Sequence, residues 1–154
     1  MNHLTSALLT IILLLLLIKS ALADDYPNTI GPFAPIITVG TAISGVIDAR
    51  FGDVDVFQIK LIAGRTYRVT MQALSPPDPT FDTQLTVYDS EGTQVAANND
   101  LVGTNAGLEY TAPATGFYYI KAQAATIYVG GTYALAVIDR VPCSAGCSSK
   151  FYCV

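Results

Sequence analysis

The chain has 154 residues, 51% of them hydrophobic and 13% charged, with a formal net charge of −4, one histidine and no tryptophan. That length supports one domain with a real core, and the acidic balance argues against a nucleic-acid partner, whose phosphates need basic surface. A single imidazole, His3, sits almost at the amino terminus.

The first segment, "MNHLTSALLTIILLLLLIKSALA", carries an apolar run from Ala7 to Ile18, too short to span a bilayer comfortably. It ends in the small-residue pattern Ala21-Leu22-Ala23, followed by Asp24-Asp25. This pattern predicts a secretory signal peptide, residues 1–23, cut after Ala23. Removing 23 of the 154 residues leaves a 131-residue chain, and losing Lys19 takes the net charge from −4 to −5. His3 goes with the signal. The mature chain then lacks the imidazole that Ser-His-Asp or Cys-His catalysis requires, and it lacks histidine for zinc. Only carboxylate-based hydrolysis remains open as an enzymatic reading.

Residues 24–40, beginning "DDYPNTIGPFAPI", are Pro-rich and polar and read as an arm outside the core. From residue 41 to 140 nearly every segment reads as strand. "TAISGVID" (41–48), "VDVFQIKL" (54–61) and "RTYRVTMQAL" (65–74) are β-branched, aromatic and roughly alternating. Ala63-Gly64, between the second and third, signals a tight hairpin. "TQLTVYD" (83–89) runs through the turn "SEGT" into "QVAAN" (94–98), and "GLEYTAP" (107–113), "GFYYIKAQA" (116–124) and "GTYALAVID" (131–139) follow. No stretch offers a capped helical period. Short strands every ten residues or so, about eight of them, predict an all-β antiparallel fold, a sandwich or a barrel. Alternation points Phe57, Ile59 and Leu61 inward, and likewise Tyr67, Val69 and Met71, then Tyr118 and Ile120, then Tyr133, Leu135 and Val137.

Several stretches, in order, resemble the bacterial pre-peptidase C-terminal domain. They are "GVIDARFGDVDVFQIKLIAGRTYRVTM", "FDTQLTVYDSEGTQVAANND", "LEYTAPATGFYYIKAQ" and "GGTYALAV", which together span roughly residues 41–138. The family pattern runs GDxDxF, AGxxY, DxxLxLYDxxG, NDD, GxYyI and GxYxL. Here Asn98-Asn99-Asp100 stands for NDD and Val56-Phe57 for the usual aromatic pair. The resemblance implies a jelly-roll-like sandwich related to the collagen-binding modules of clostridial collagenases. Family members commonly trail a secreted hydrolase, for which this chain has no room.

Asp53 and Asp55 lie two residues apart and so project from one face of an extended chain. Together with Asp82, Asn98 and Asp100 they form a candidate calcium set, since oxygen-only ligands with loose geometry suit Ca²⁺, and the resemblance points the same way. The competing reading is turn chemistry, because Asp and Asn side chains bond nearby backbone. Among the nine tyrosines, Tyr110, Tyr119 and Tyr128 fall on polar faces or loops and are candidates for binding a protein or polysaccharide. Residues 141–154 hold Cys143, Cys147 and Cys153. Cys143–Cys147 or Cys147–Cys153 would close a small loop and leave one thiol for disulfide-linked self-association. The chain therefore reads as a secreted, non-catalytic module that binds an extracellular polymer, with Ca²⁺ as a candidate stabiliser beside the turn-chemistry reading. The alternative is a structural subunit of an extracellular assembly or filament, joined through its arm or tail.

Overall fold

The computed structural model describes residues 25–49, 52–74 and 80–140. The signal-peptide segment, Asp78 and the three cysteines with their proposed bridges lie outside the described residues.

Among the described residues nine strands form: β1 (Ile36–Ile37), β2 (Ala42–Ile47), β3 (Val54–Leu61), β4 (Thr66–Ala73), β5 (Thr83–Tyr88), β6 (Gln94–Asn98), β7 (Ala106–Thr111), β8 (Gly116–Ala124) and β9 (Gly131–Asp139). They make a sandwich of two sheets, one ordered β1-β3-β8-β5-β6 and the other β2-β9-β4-β7. Eight strands match the period-2 runs of the sequence to within two residues at either end. Every pair is antiparallel except β1–β3, which is parallel.

The inward rows fill the space between the sheets. Phe57, Ile59 and Leu61 face Tyr67, Val69 and Met71, with Leu85, Val87, Tyr118, Ile120, Tyr133, Leu135 and Val137 completing one buried cluster. A face of this kind is worth roughly 25 cal/mol for each Å² of apolar surface removed from water, which is why alternation alone sets the register.

Two readings of the sequence are corrected. Ala63-Gly64 is not a hairpin, because β3 and β4 belong to different sheets. It is a corner at which the chain crosses between sheets, with Gly64 at φ 76° and its N–H on the Ala112 carbonyl at 2.8 Å. A turn with Gly at positive φ serves a corner as well as a hairpin, so the local signal cannot distinguish them. The true hairpin joins β5 to β6, where Asp89 Oδ1 accepts the N–H groups of Glu91 and Thr93 and Gly92 takes φ 83°.

The second correction concerns the segment before β2, which is not an arm outside the core. It straps the open side of the sandwich. Along β3, Val54 N–H donates to Asn28 Oδ1 (2.8 Å), Val56 N–H to the Pro27 carbonyl (3.0 Å) and Gln58 N–H to the Pro35 carbonyl (2.9 Å). Along β2, Val46 N–H donates to Asp25 Oδ2 (2.9 Å) and the Ser44 carbonyl accepts from the Tyr26 hydroxyl (3.1 Å). One short segment thus bonds along one side of each sheet, at β3 and at β2, where open strands otherwise invite pairing with another chain. Its prolines suit the work, since an edge-lying segment needs carbonyls here and can spare N–H groups.

The Tyr26 ring closes the seam. It meets Phe57 edge to face, with centroids 4.7 Å apart, and packs against the core. Such a ring pair contributes about 0.5–1.5 kcal/mol beyond burial, and a net hydrogen bond a similar amount. Tyr26→Ala is therefore expected to lower stability by about 1–3 kcal/mol in urea melts. A change within error would show that the strap rests on the sandwich without holding it.

A carboxylate cluster at one end of the sandwich

Strand directions place four connections at one end: those joining β2 to β3, β4 to β5, β6 to β7 and β8 to β9. Asp53 and Asp55 open β3 there, and the strap brings Asp25 beside them. One carboxylate oxygen from each of Asp25, Asp53 and Asp55 lies within 4.8 Å of the others. Asp25 is exposed, Asp53 half-buried and Asp55 fully buried.

Each carboxylate is held. Asp25 Oδ2 accepts Val46 N–H, while Asp53 accepts Asp48 N–H on Oδ2 and Val54 N–H on Oδ1, both at 2.8 Å. Asp55 Oδ2 accepts the hydroxyl of Tyr133, a side chain that is itself fully buried. Burial first and this hydrogen bond second push the Tyr133 phenol far above its ordinary value, so it remains a donor at any physiological pH. Tyr133 reaches Asp55 from the opposite sheet. Its ring lies over Gly45, its direct partner on β2, where an added Cβ would collide with the ring. That explains a glycine in the interior of a strand.

The five oxygen ligands proposed from sequence do not converge. Asp53 and Asp55 join Asp25, which the sequence reading missed because it assigned residue 25 to a detached arm. Asp82 precedes β5, and β8 separates β5 from β3, a gap of about two strand spacings of 4.8 Å. Asp82 stands near Asp100 instead, and Asn98 Oδ1 accepts Asp100 N–H at 2.6 Å in a local turn. Asn98 is thus committed to turn chemistry. Asp82 Oδ1 is buried with no hydrogen-bond donor on it.

The three tyrosines also separate. Tyr110 lies on the inner side of β7, packed against the core and edge to face with Tyr118 at 5.7 Å, so it is not on a polar face. Leu108, buried two residues earlier, has the same parity and places Tyr110 on the inner side. Tyr119 sits on the outer face of the five-stranded sheet, its hydroxyl accepting from Gln58 Nε2 at 3.3 Å. Tyr128 stands in the β8–β9 loop, 74% exposed. Beside Tyr119 on that outer face are Tyr88, its direct partner on β5, and Phe117, two residues along β8. Parity within "GFYYIKAQA" places Phe117 with Tyr119, a signal present in the sequence.

Residues 53–124 match the family model of the bacterial pre-peptidase C-terminal domain. The sandwich is therefore similar to domains of that family over 72 of the chain's 154 residues. The pre-peptidase C-terminal domain of a Bacillus anthracis collagenase is similar at 19% identity and a TM-score of 0.54, covering 71% of this chain and 99% of its own. A periplasmic inhibitor of g-type lysozyme from Aeromonas hydrophila follows at 17% identity and a TM-score of 0.50, covering 69% of this chain and 98% of its own. Likeness at these identities establishes the shared sandwich. No curated protein matches the sequence significantly. In the pre-peptidase C-terminal frame, the GDxD motif is the start of β3 and the final GxYxL motif supplies Tyr133, so two separated motifs meet across the core as one hydrogen bond.

Burial first and Asp100 second hold the Asp82 carboxyl above its ordinary 3.8. A carboxyl whose folded value is raised binds its proton better in the folded state. The stability it confers is complete below 3.8 and is lost as pH rises through the folded value. Asp82→Asn should therefore raise the urea midpoint at neutral pH in chelator and leave it unchanged near pH 3. An equal shift at both pH values would remove the ionisation argument.

Proposed function

We propose that this chain is a secreted, non-catalytic module that binds an extracellular polymer, protein or glycan, and that Ca²⁺ stabilises it. The observation that carries the reading is the outer face of the five-stranded sheet. There Gln58, Tyr119 and Tyr88 form one cross-strand row, and Phe117, 40% exposed, stands beside it next to Lys60. Rings set side by side at strand spacing present an amphipathic platform, apolar on the face and hydrogen-bonding at the rim, suited to an extended chain. The absence of histidine from the chain beyond His3 supports a non-catalytic role. So does the cluster itself. Each of its carboxylates already accepts a hydrogen bond from within the fold.

Asp25, Asp53 and Asp55 fit a calcium ion by chemistry: three carboxylates, oxygen ligands only, converging at a chain surface where water can complete the shell. The ion would offset the mutual repulsion of three charges and fasten the strap to β3. Secretion is supported by the signal-like leader and by the family, whose solved neighbour in Aeromonas hydrophila is periplasmic.

The test is a depletion assay of purified protein on insoluble collagen, chitin and cellulose, with calcium and with EDTA, beside thermal melts. Binding to at least one polymer that falls in Tyr119→Ala, and a melting temperature raised by calcium in wild type but not in Asp53→Ala, are the expected results. Retention on none of the polymers would overturn the binding reading. Superimposed melts in calcium and EDTA would remove the ion.

A further inference from the structure

The β8–β9 loop, residues 125–130, is exposed yet anchored at both ends. Ala125 N–H donates to the Asp82 carbonyl at 2.8 Å. At the other end Gly130 runs so close to the Ile47 carbonyl that a Cβ could not fit. Between these points Ile127 and Tyr128 are 70% and 74% exposed, and Tyr128 holds a left-handed backbone at φ 66°. A bulky residue in that region carries strain that its surroundings must maintain. The strain and the anchors keep two large apolar side chains projecting into water, which burial in the core would otherwise recover.

Under this loop lies a cleft of about 240 Å³ lined by Ile47, Asp53, Lys121, Gln123, Ile127 and Tyr128, among others. Asp53 forms part of one wall, and behind it are Asp55 and Asp25, with Asp48 bonded to Asp53 through its N–H. Among the described residues Lys121 is the one cation lining the cleft. Arg65 precedes β4 and Arg140 follows β9, so both lie at the opposite end, where Arg65 pairs with Asp139 and Arg140 with Glu109. Among the described residues the loop end is therefore acidic with apolar tips.

We propose that this cleft binds a basic polypeptide segment, a lysine or arginine of the partner reaching Asp53 while its aliphatic stem lies along Ile127 and the Tyr128 ring. A cation over a tyrosine face is attracted by the ring as well as by the carboxylate, and apolar groups flanking the charge match the two loop side chains. Lys121 supplies donors for carbonyls of the partner backbone. A free polyamine would satisfy Asp53 but would leave the apolar tips without a purpose. The inference rests on the proposal that the chain is a binding module, and names the partner class of a second site, at the loop end of the sheet face that carries Tyr119.

Fluorescence anisotropy with a short labelled peptide of alternating lysine and leucine tests it, against a glutamate–leucine peptide, in EDTA and in calcium. Binding of the lysine peptide alone, about tenfold weaker in Ile127→Ala, Tyr128→Ala and Asp53→Asn, is the expected result. Glu91→Gln, at the opposite end, should not change it, which separates the cleft from general attraction to an acidic protein. Because Asp53 also caps backbone, the two loop variants carry the decision if Asp53→Asn melts early. Equal affinity in wild type and both loop variants, or no binding in either condition, would overturn the cleft. Retention on an insoluble polymer in that case would leave the Tyr119 reading standing.

Discussion

A buried hydrogen bond between side chains ties the two sheets together at the functional end, beside the buried bonds that Thr83 of β5 makes to Met71 and Ala106 of the other sheet. Tyr133 of β9 donates to Asp55 of β3, and both side chains are fully buried. A buried carboxylate is costly unless strong donors meet it, and here the donor is a phenol whose own burial prevents ionisation. Gly45 follows as a consequence, because the ring needs the space that a side chain on β2 would fill. With Asp55 fixed, Asp53 is placed by strand geometry two residues earlier, where it caps the chain entering β3. The strap then adds Asp25 from outside. The order matters: the cluster is built from the core outward, with exposure rising from Asp55 through Asp53 to Asp25.

That gradient also explains how one acidic end can have two uses. The buried member is tied to the core, since its Oδ2 accepts from Tyr133. The outer members face solvent on one side and the loop cleft on the other. An ion on the strap side and a cationic side chain on the cleft side would draw on the same charge. The aromatic row of Tyr119 and Tyr88 lies further along the outer sheet face, away from this competition.

The eight longer strands were legible because a half-buried strand must alternate, and Phe57, Ile59 and Leu61 or Tyr133, Leu135 and Val137 could face only one way. What failed was longer in range. The sequence "DDYPNTIGPFAPI" has no period, because its role is to fill two existing edges with carbonyls and a few side chains, and such contacts leave no repeat behind. Asp25 was overlooked for that reason. Gly64 signalled a turn correctly, but whether a turn joins neighbours or crosses between sheets depends on where β8 and β9 insert. Asp53 and Asp55 were read correctly as sharing a face. That this face is the interior followed from Phe57 on the same parity, and the partner Tyr133 lies 78 positions away, beyond any local pattern.

The central claim is that Asp55 and Tyr133 act as a coupled pair across the core. A double-mutant cycle in urea, using Tyr133→Phe and Asp55→Asn alone and together, measures it directly. Each single change should cost about 1–3 kcal/mol, since each disturbs a buried polar contact. The double variant should fall short of the sum by about 1 kcal/mol or more, giving a clear coupling energy. Strictly additive losses would mean that the two side chains merely lie close together and do not couple the sheets.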